Sequence, residues 1–111
     1  MSSTAPLADW LVHIPDIPGA LEKRVAARSD HLAGVKPKVQ SGTVAFGGAT
    51  LAKHPGPGES LAMTGSVMLY KAESEEKVRE LLEDDPYTKV GVWDVKNATI
   101  YPFFCAVRTP M

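Results

Sequence analysis

Residues Gly65 to Ala72 carry the feature that most constrains this fold, because Val67-Met68-Leu69-Tyr70 is apolar at every position. Side chains of a strand alternate between its two faces, so this run puts apolar groups on both. A strand of that kind needs cover on both sides. The flanking segments supply elements of both periods. Trp10-Leu11-Val12-His13-Ile14 reads as a short strand ended by Pro15, Pro18 and Gly19. A helical pattern then runs from about Ala20 to Leu32, with Leu21, Val25, Leu32 and Val35 on the stripe expected to be buried. Arg24, Arg28 and His31 fall on the adjacent stripe, Gly34 is the expected stop, and Pro37 is expected to bar any continuation.

Thr43 to Leu51 predicts a second strand, and Gly47-Gly48 inside it predicts a bulge or a close approach by another backbone or a ligand. Lys53 to Ser60, with Pro55-Gly56 and Pro57-Gly58, is a loop by composition. After the third strand, Ser74 is a good N-cap, and Glu75 and Glu76 suit the first turn of a helix. Val78, Leu81 and Leu82 form that helix's apolar stripe. A last strand is expected from near Val92, interrupted at Lys96-Asn97, and running through Ile100-Tyr101-Pro102-Phe103-Phe104.

The order is β-α-β-β-α-β, that of a split βαβ or ferredoxin-like unit in the α+β class. It implies a four-stranded antiparallel sheet with both helices on one face. The other face then needs a cover of its own, and a second copy of the chain is the simplest one, giving a homodimer. A chain of 111 residues suits a single domain, 1–111, with residues 1–7 as a flexible N-terminus. A net charge of −1 argues against a nucleic-acid partner. No apolar run reaches the roughly 20 residues of a membrane span. Met1 to Pro6 lacks the basic and apolar regions of a secretory signal. With the one cysteine, Cys105, this makes a cytoplasmic setting the default.

Two segments bear chemistry. Asp84-Asp85-Pro86-Tyr87 breaks the chain where the second helix ends, and a carboxylate at a helix C-terminus is disfavoured by the dipole. Arg28-Ser29-Asp30-His31-Leu32 closes the first helix. A histidine oriented by a carboxylate suits proton transfer near neutral pH. The alternatives are a His31 that caps a helix end and an Asp85 that stabilises an Asx turn before Pro86. Arg28 is a candidate for an anionic group of a ligand, or else a solvated helix charge. Ser66 is a candidate hydrogen-bond donor to a ligand, and no nucleophile-elbow sequence surrounds it. His13, His54 and His31 lack metal-ligand spacing, so no metal is expected. Cys105 reads as a buried or half-buried thiol, and Trp10 and Trp93 as core or interface anchors.

Arg28-x-x-His31-Leu32, Gly65-Ser66, Asp85-Pro86-Tyr87 followed by Gly91-Val92-Trp93, and Pro102-Phe103 together resemble the YCII-related family. The resemblance spans nearly the whole chain in the right order. It implies a dimeric α+β barrel and a His-Asp pair in a cleft, which falls on His31 and Asp85, with Asp84 as the neighbouring competitor. Ser66, Arg28 and Tyr87 become the candidate substrate contacts, with neither cofactor nor metal. Some members of the family act on cyclic or chlorinated intermediates of aromatic degradation, by dehydrochlorination or related steps. The expected function is therefore lyase- or isomerase-like proton transfer on a small cyclic or aromatic-derived metabolite. A non-catalytic binding module and an accessory dimer are the alternatives, and the environment of His31 discriminates among the three.

Overall fold

A computed structural model describes residues 6–108; the expected flexible terminus, 1–7, lies mostly outside the described residues. Strand β1 spans Ala8–Pro15, helix α1 Leu21–Gln40, strand β2 Val44–Leu51 and strand β3 Met63–Ala72. Helix α2 follows over Glu75–Asp84, helix α3 over Pro86–Lys89, and strand β4 over Thr99–Phe103. The sheet order is β2-β3-β1-β4 and every pairing is antiparallel. This is a ferredoxin-like α+β fold with the helices on one side of the sheet.

Register decides which residues meet the helices. Val12 pairs with Met68 and Ile100, and Ile14 pairs with Ser66. These residues face Ala27 of α1, Val78 and Leu82 of α2, and Tyr87 of α3, and most of them form one buried core. Ile14, Leu82, Val12 and Val78 are fully buried, each worth about 1.5–3 kcal/mol. Ser74 caps α2 as expected, its side chain accepting from the Lys77 amide at 3.2 Å.

Opposite them, Leu69 pairs with Leu11 and Phe46 on the face that no helix covers. Phe46, Tyr101 and Phe103 on that face are between 41% and 51% exposed. His13, paired with Val67 and Thr99, lies there too and is exposed. Pro102 has no amide to donate, and it is tolerated because β4 is an edge strand. Among the described residues, no helix is long and apolar enough to cross a membrane.

Three expectations need correction. Helix α1 does not stop at Gly34 but continues through Pro37 to Gln40. Val35 packs against the core beyond the glycine, and tertiary packing overrides a local break of this size. The stripe of α1 is also exchanged. Leu21, Val25 and Leu32 are 43–60% exposed, whereas Arg24, Ala27 and His31 are buried. The buried polar groups find partners inside, which lets a polar stripe face the core. Thirdly, the region after Gly91 is not yet strand: Trp93 makes an isolated bridge to Asp16, and a 3-10 turn over Val95–Asn97 precedes β4.

The irregularity of β2 lies beside the glycine pair and not in it, at the register shifts between Val44 and Phe46 and between Thr50 and Leu51. What a Cβ at Gly47 would collide with is the Met68 side chain, not a backbone.

Candidate active site

Asp85 sits between two helices. It ends α2 and also caps the N-terminus of α3, with Pro86 at the first helical position. Its backbone is extended, at φ −70° and ψ 139°, as a residue before proline requires. The expected conflict with the dipole of α2 is thus offset, because the same carboxylate accepts from the Tyr87 amide at 2.8 Å as an N-cap does. The Asx-turn reading and the histidine-partner reading both hold for Asp85. His31 Nδ1 lies 2.8 Å from Oδ1 and 2.9 Å from Oδ2, and the pair is buried. The imidazole Nδ1–H donates to the carboxylate, which leaves Nε2 as the ring nitrogen available to a ligand.

Aromatic rings fix the imidazole. Tyr87 stacks on His31 with centroids 4.0 Å apart and planes 13° from parallel. Trp93 meets both rings edge-on, at 5.4 Å and 5.6 Å. Burial pushes the Tyr87 phenol above its ordinary pKa, although Arg24 and Arg28 pull it the other way. It is therefore a neutral wall of the site at pH 7.

Ser66 is held from behind. Its hydroxyl accepts from Arg24 Nη2 at 2.6 Å and from Trp93 Nε1 at 3.1 Å. Two donors fill the two lone pairs of a hydroxyl, so the remaining capacity is its own O–H as a donor. This geometry fits a donor to a ligand and not a nucleophile. Gly65 makes the arrangement possible: a Cβ there would come within 2.6 Å of the Ile14 carbonyl, and the Gly65 carbonyl accepts from Arg24 Nη2 at 2.8 Å.

Arg24 is the residue that sequence reasoning missed. It falls on the stripe adjacent to the one expected to be buried and is not among the candidate site residues, yet it is 2% exposed, its guanidinium lies over the Tyr87 ring at 4.8 Å, and it pairs with Asp16 at 3.6 Å. Among the described residues, its Nε and Nη1, and both carboxylate oxygens of Asp16, have no hydrogen-bond partner. Burial raises the Asp16 pKa, and the Arg24 charge opposes that rise. The signal available in sequence was Arg24 one helical turn before Arg28 and two before His31, on a single face. Trp93 lies in the core, as expected, and from there its Nε1 donates to Ser66.

His31, Arg24, Ser66 and Tyr87 open onto one cavity of about 370 Å³ between α1 and β2. Arg28 lines it from the exposed side of α1. Asp84 sits apart, on the outer surface near Glu80 and Glu83. His54 is exposed, and Cys105 is half-buried with its thiol near the Val107 carbonyl at 3.8 Å. Among the described residues no group of three or more His, Cys, Asp or Glu is placed to hold a metal ion.

A family model described as the YCII-related domain matches residues 8–103. The "Derivative of benzaldehyde biosynthesis cluster protein C" of Emericella nidulans is 49% identical over 88 residues, covering 78% of this chain and 90% of that protein. "Fusaric acid biosynthesis protein 2" of Gibberella fujikuroi is 43% identical over 97 residues, covering 87% of this chain and 93% of its own. "Aspartate kinase FUB3" of Fusarium oxysporum is 44% identical over 97 residues, but the chain spans only 18% of that protein's length. Among solved structures, a 5-chloro-2-hydroxyhydroquinone dehydrochlorinase (TftG) from Burkholderia phenoliruptrix AC1100, in complex with 2,5-dihydroxybenzoquinone, is similar with a TM-score of 0.73. It is 30% identical, and the likeness covers 86% of this chain and 93% of that one. The chain described here belongs to the YCII-related domain family.

Proposed function

We propose that the protein is a cofactor-independent acid-base enzyme in which His31 and Asp85 move a proton on a small oxygenated ring compound. The observation that carries this reading is the buried His31–Asp85 pair opening onto the cavity. Asp85 fixes the imidazole tautomer, and Nε2 removes a proton from a ring carbon next to a carbonyl or from a ring hydroxyl. The electron pair moves onto the ring oxygen, forming an enolate. The Ser66 hydroxyl and the Arg24 guanidinium lie where they can hold that oxygen, as charge-stabilising donors do in other sites. The enolate then collapses, either by regaining the proton at another carbon or by expelling a leaving group. These are the isomerase and lyase outcomes. The dehydrochlorinase likeness supports the second.

The reading includes a single domain, 1–111, working as a homodimer in the cytoplasm. The uncovered sheet face with Phe46, Tyr101 and Phe103 supports the dimer, and the lone thiol Cys105 suits a reducing compartment.

The test is ring-proton exchange in D2O, followed by NMR, over a panel of hydroxylated quinols, hydroxyquinones and cyclic 1,3-diketones. The wild type is expected to accelerate exchange for at least one of them. His31→Ala is expected to lose that acceleration by about 100-fold or more, and Asp85→Asn to lose a comparable factor while remaining folded. Tight binding without exchange in the wild type would establish the alternative, a non-catalytic binding module.

A further inference from the structure

The face of α1 that lines the cavity changes character along its length. Arg24, Arg28 and His31 occupy its first half, and Leu32, Val35 and Val39 continue the same face over the second half. Arg28 and Val39 are separated by about 16 Å at the helical rise. Across the gap, β2 and the start of β3 present Gly48, Leu51 and Met63. Leu32 and Val39 are each 51% exposed, although they lie in the same groove as the buried polar pair. The helix reaches this second half only because it passes Gly34 and Pro37.

The charges are equally uneven. Arg24 is paired with Asp16, and His31 with Asp85. Among the described residues, Arg28 has no carboxylate within ion-pair distance, which leaves the mouth of the polar half with a cation in excess. A ring bound at His31 would therefore have an unpaired positive charge beside it and an apolar trough running away from it.

We infer that the ligand of this site is an organic anion with an apolar arm, its acidic group held by Arg28 and its aliphatic substituent lying along Leu32, Val35 and Val39. The inference rests on the reading above only in placing a ring at His31, since it requires no turnover. It differs from that reading in naming a substituent and a charge. The volume, about 370 Å³, is that of a small-molecule site, and the trough is continuous with the polar pocket.

The experiment is isothermal titration calorimetry of the full chain with benzoate, 4-ethylbenzoate and 4-butylbenzoate, and with 4-butylbenzyl alcohol as the neutral analogue. Affinity is expected to rise about threefold for each added methylene, a little less than full burial would give. Ala49→Leu is the blocking variant. Ala49 pairs with Ser66, so its side chain shares the helix-covered face, and it is exposed and lines the cavity, so a longer side chain there fills the trough. In it, the ratio of 4-butylbenzoate to benzoate affinity is expected to fall close to one. Arg28→Met is expected to weaken the carboxylates about tenfold and to leave the alcohol unmoved. Affinity independent of chain length, or the same gain in Ala49→Leu, overturns the apolar arm. An equal loss for acid and alcohol in Arg28→Met overturns the anion. Absence of binding by all of the benzoates overturns it too, and a mass halved by Leu32→Asp would then assign the trough to a second copy. The outcome is separable from the dyad, because a chain-length gain stands when His31→Ala leaves proton exchange unchanged, and a flat series condemns only the ligand class.

Discussion

Met68 and Leu69 are neighbours on β3, hidden alike at 2% and 0% exposure, and they point to opposite faces of the sheet. On the Met68 side the chain supplies its own cover: two helices, an aromatic cluster around His31, and polar groups bonded to one another. Opposite, Leu69 is ringed in register by Leu11 and Phe46, and the outer residues Tyr101 and Phe103 stay half-exposed. The two faces teach different things. The covered face can hold buried charge because every charge has a partner, and there chemistry is concentrated. The uncovered face is apolar at its centre, around Leu11, Phe46, Leu69 and Tyr101, with Asp9, Lys71, His13 and Thr99 toward its ends, an apolar centre with a polar rim as in a surface between subunits.

The sharpest way to break the comparison is to put the same charge on each side. Met68→Asp would bury an unpaired carboxylate in the helix-covered core, and loss of cooperative folding is expected in circular dichroism melts. Tyr101→Asp, on the half-exposed face, is expected to keep the fold and to shift sedimentation from dimer to monomer. If Tyr101→Asp unfolds the protein, or stays dimeric at micromolar concentration, the open face is not the subunit contact.

The next effect in size concerns the charges of the covered face. Arg24→Leu leaves Asp16 without its cation, and a loss of about 3 kcal/mol in urea unfolding is expected. The sign with pH follows from Asp16. Its pKa is raised by burial above the ordinary 3.8, so the native state binds that proton more tightly than the unfolded chain. This carboxylate costs stability above its raised value, and the cost fades as pH falls through that value toward 3.8. Removing Arg24, which holds the value down, enlarges the cost. The deficit of Arg24→Leu is therefore expected to be greater at pH 7 than at pH 5. An equal deficit at both would mean that Arg24 acts by packing alone.

The same contrast explains how far residue patterns reached. Element order, the antiparallel sheet and the Ser74 cap were legible because each depends on local periodicity or on a backbone requirement. The meeting of His31 and Asp85 was legible only through Pro86 and through family likeness, since 54 residues separate them. The orientation of α1 was not legible. Hydrophobic periodicity assumes that polar residues face water, and here Arg24 and His31 turn inward because Ser66, the Gly65 carbonyl, Asp16 and Asp85 wait for them. Those partners come from three other parts of the chain, and no window of sequence contains them.

The smallest expected effect lies outside both faces, in the loop from Lys53 to Ser60. Its ends are closed by the Ala52 amide donating to the Ala62 carbonyl at 2.9 Å. Within it, the Gly56 amide donates to Glu59 at 2.6 Å, and Lys53 lies 3.6 Å from the same carboxylate. All of these groups are exposed or nearly so, and an exposed ion pair contributes between nothing and about 1 kcal/mol. No large apolar side chain of the loop itself reaches the core, since the anchors Leu51 and Leu61 lie at its two ends. Deleting Pro55 to Gly58 also shortens the chain that must be closed, a small entropic gain that offsets part of the loss. The deletion is therefore expected to shift the unfolding free energy by no more than about 0.5 kcal/mol, and limited proteolysis of the wild type is expected to cut first between residues 53 and 60. Protection of this loop in the wild type, coupled with a large loss on deletion, would give it a partner on the neighbouring subunit and extend the contact beyond the sheet face.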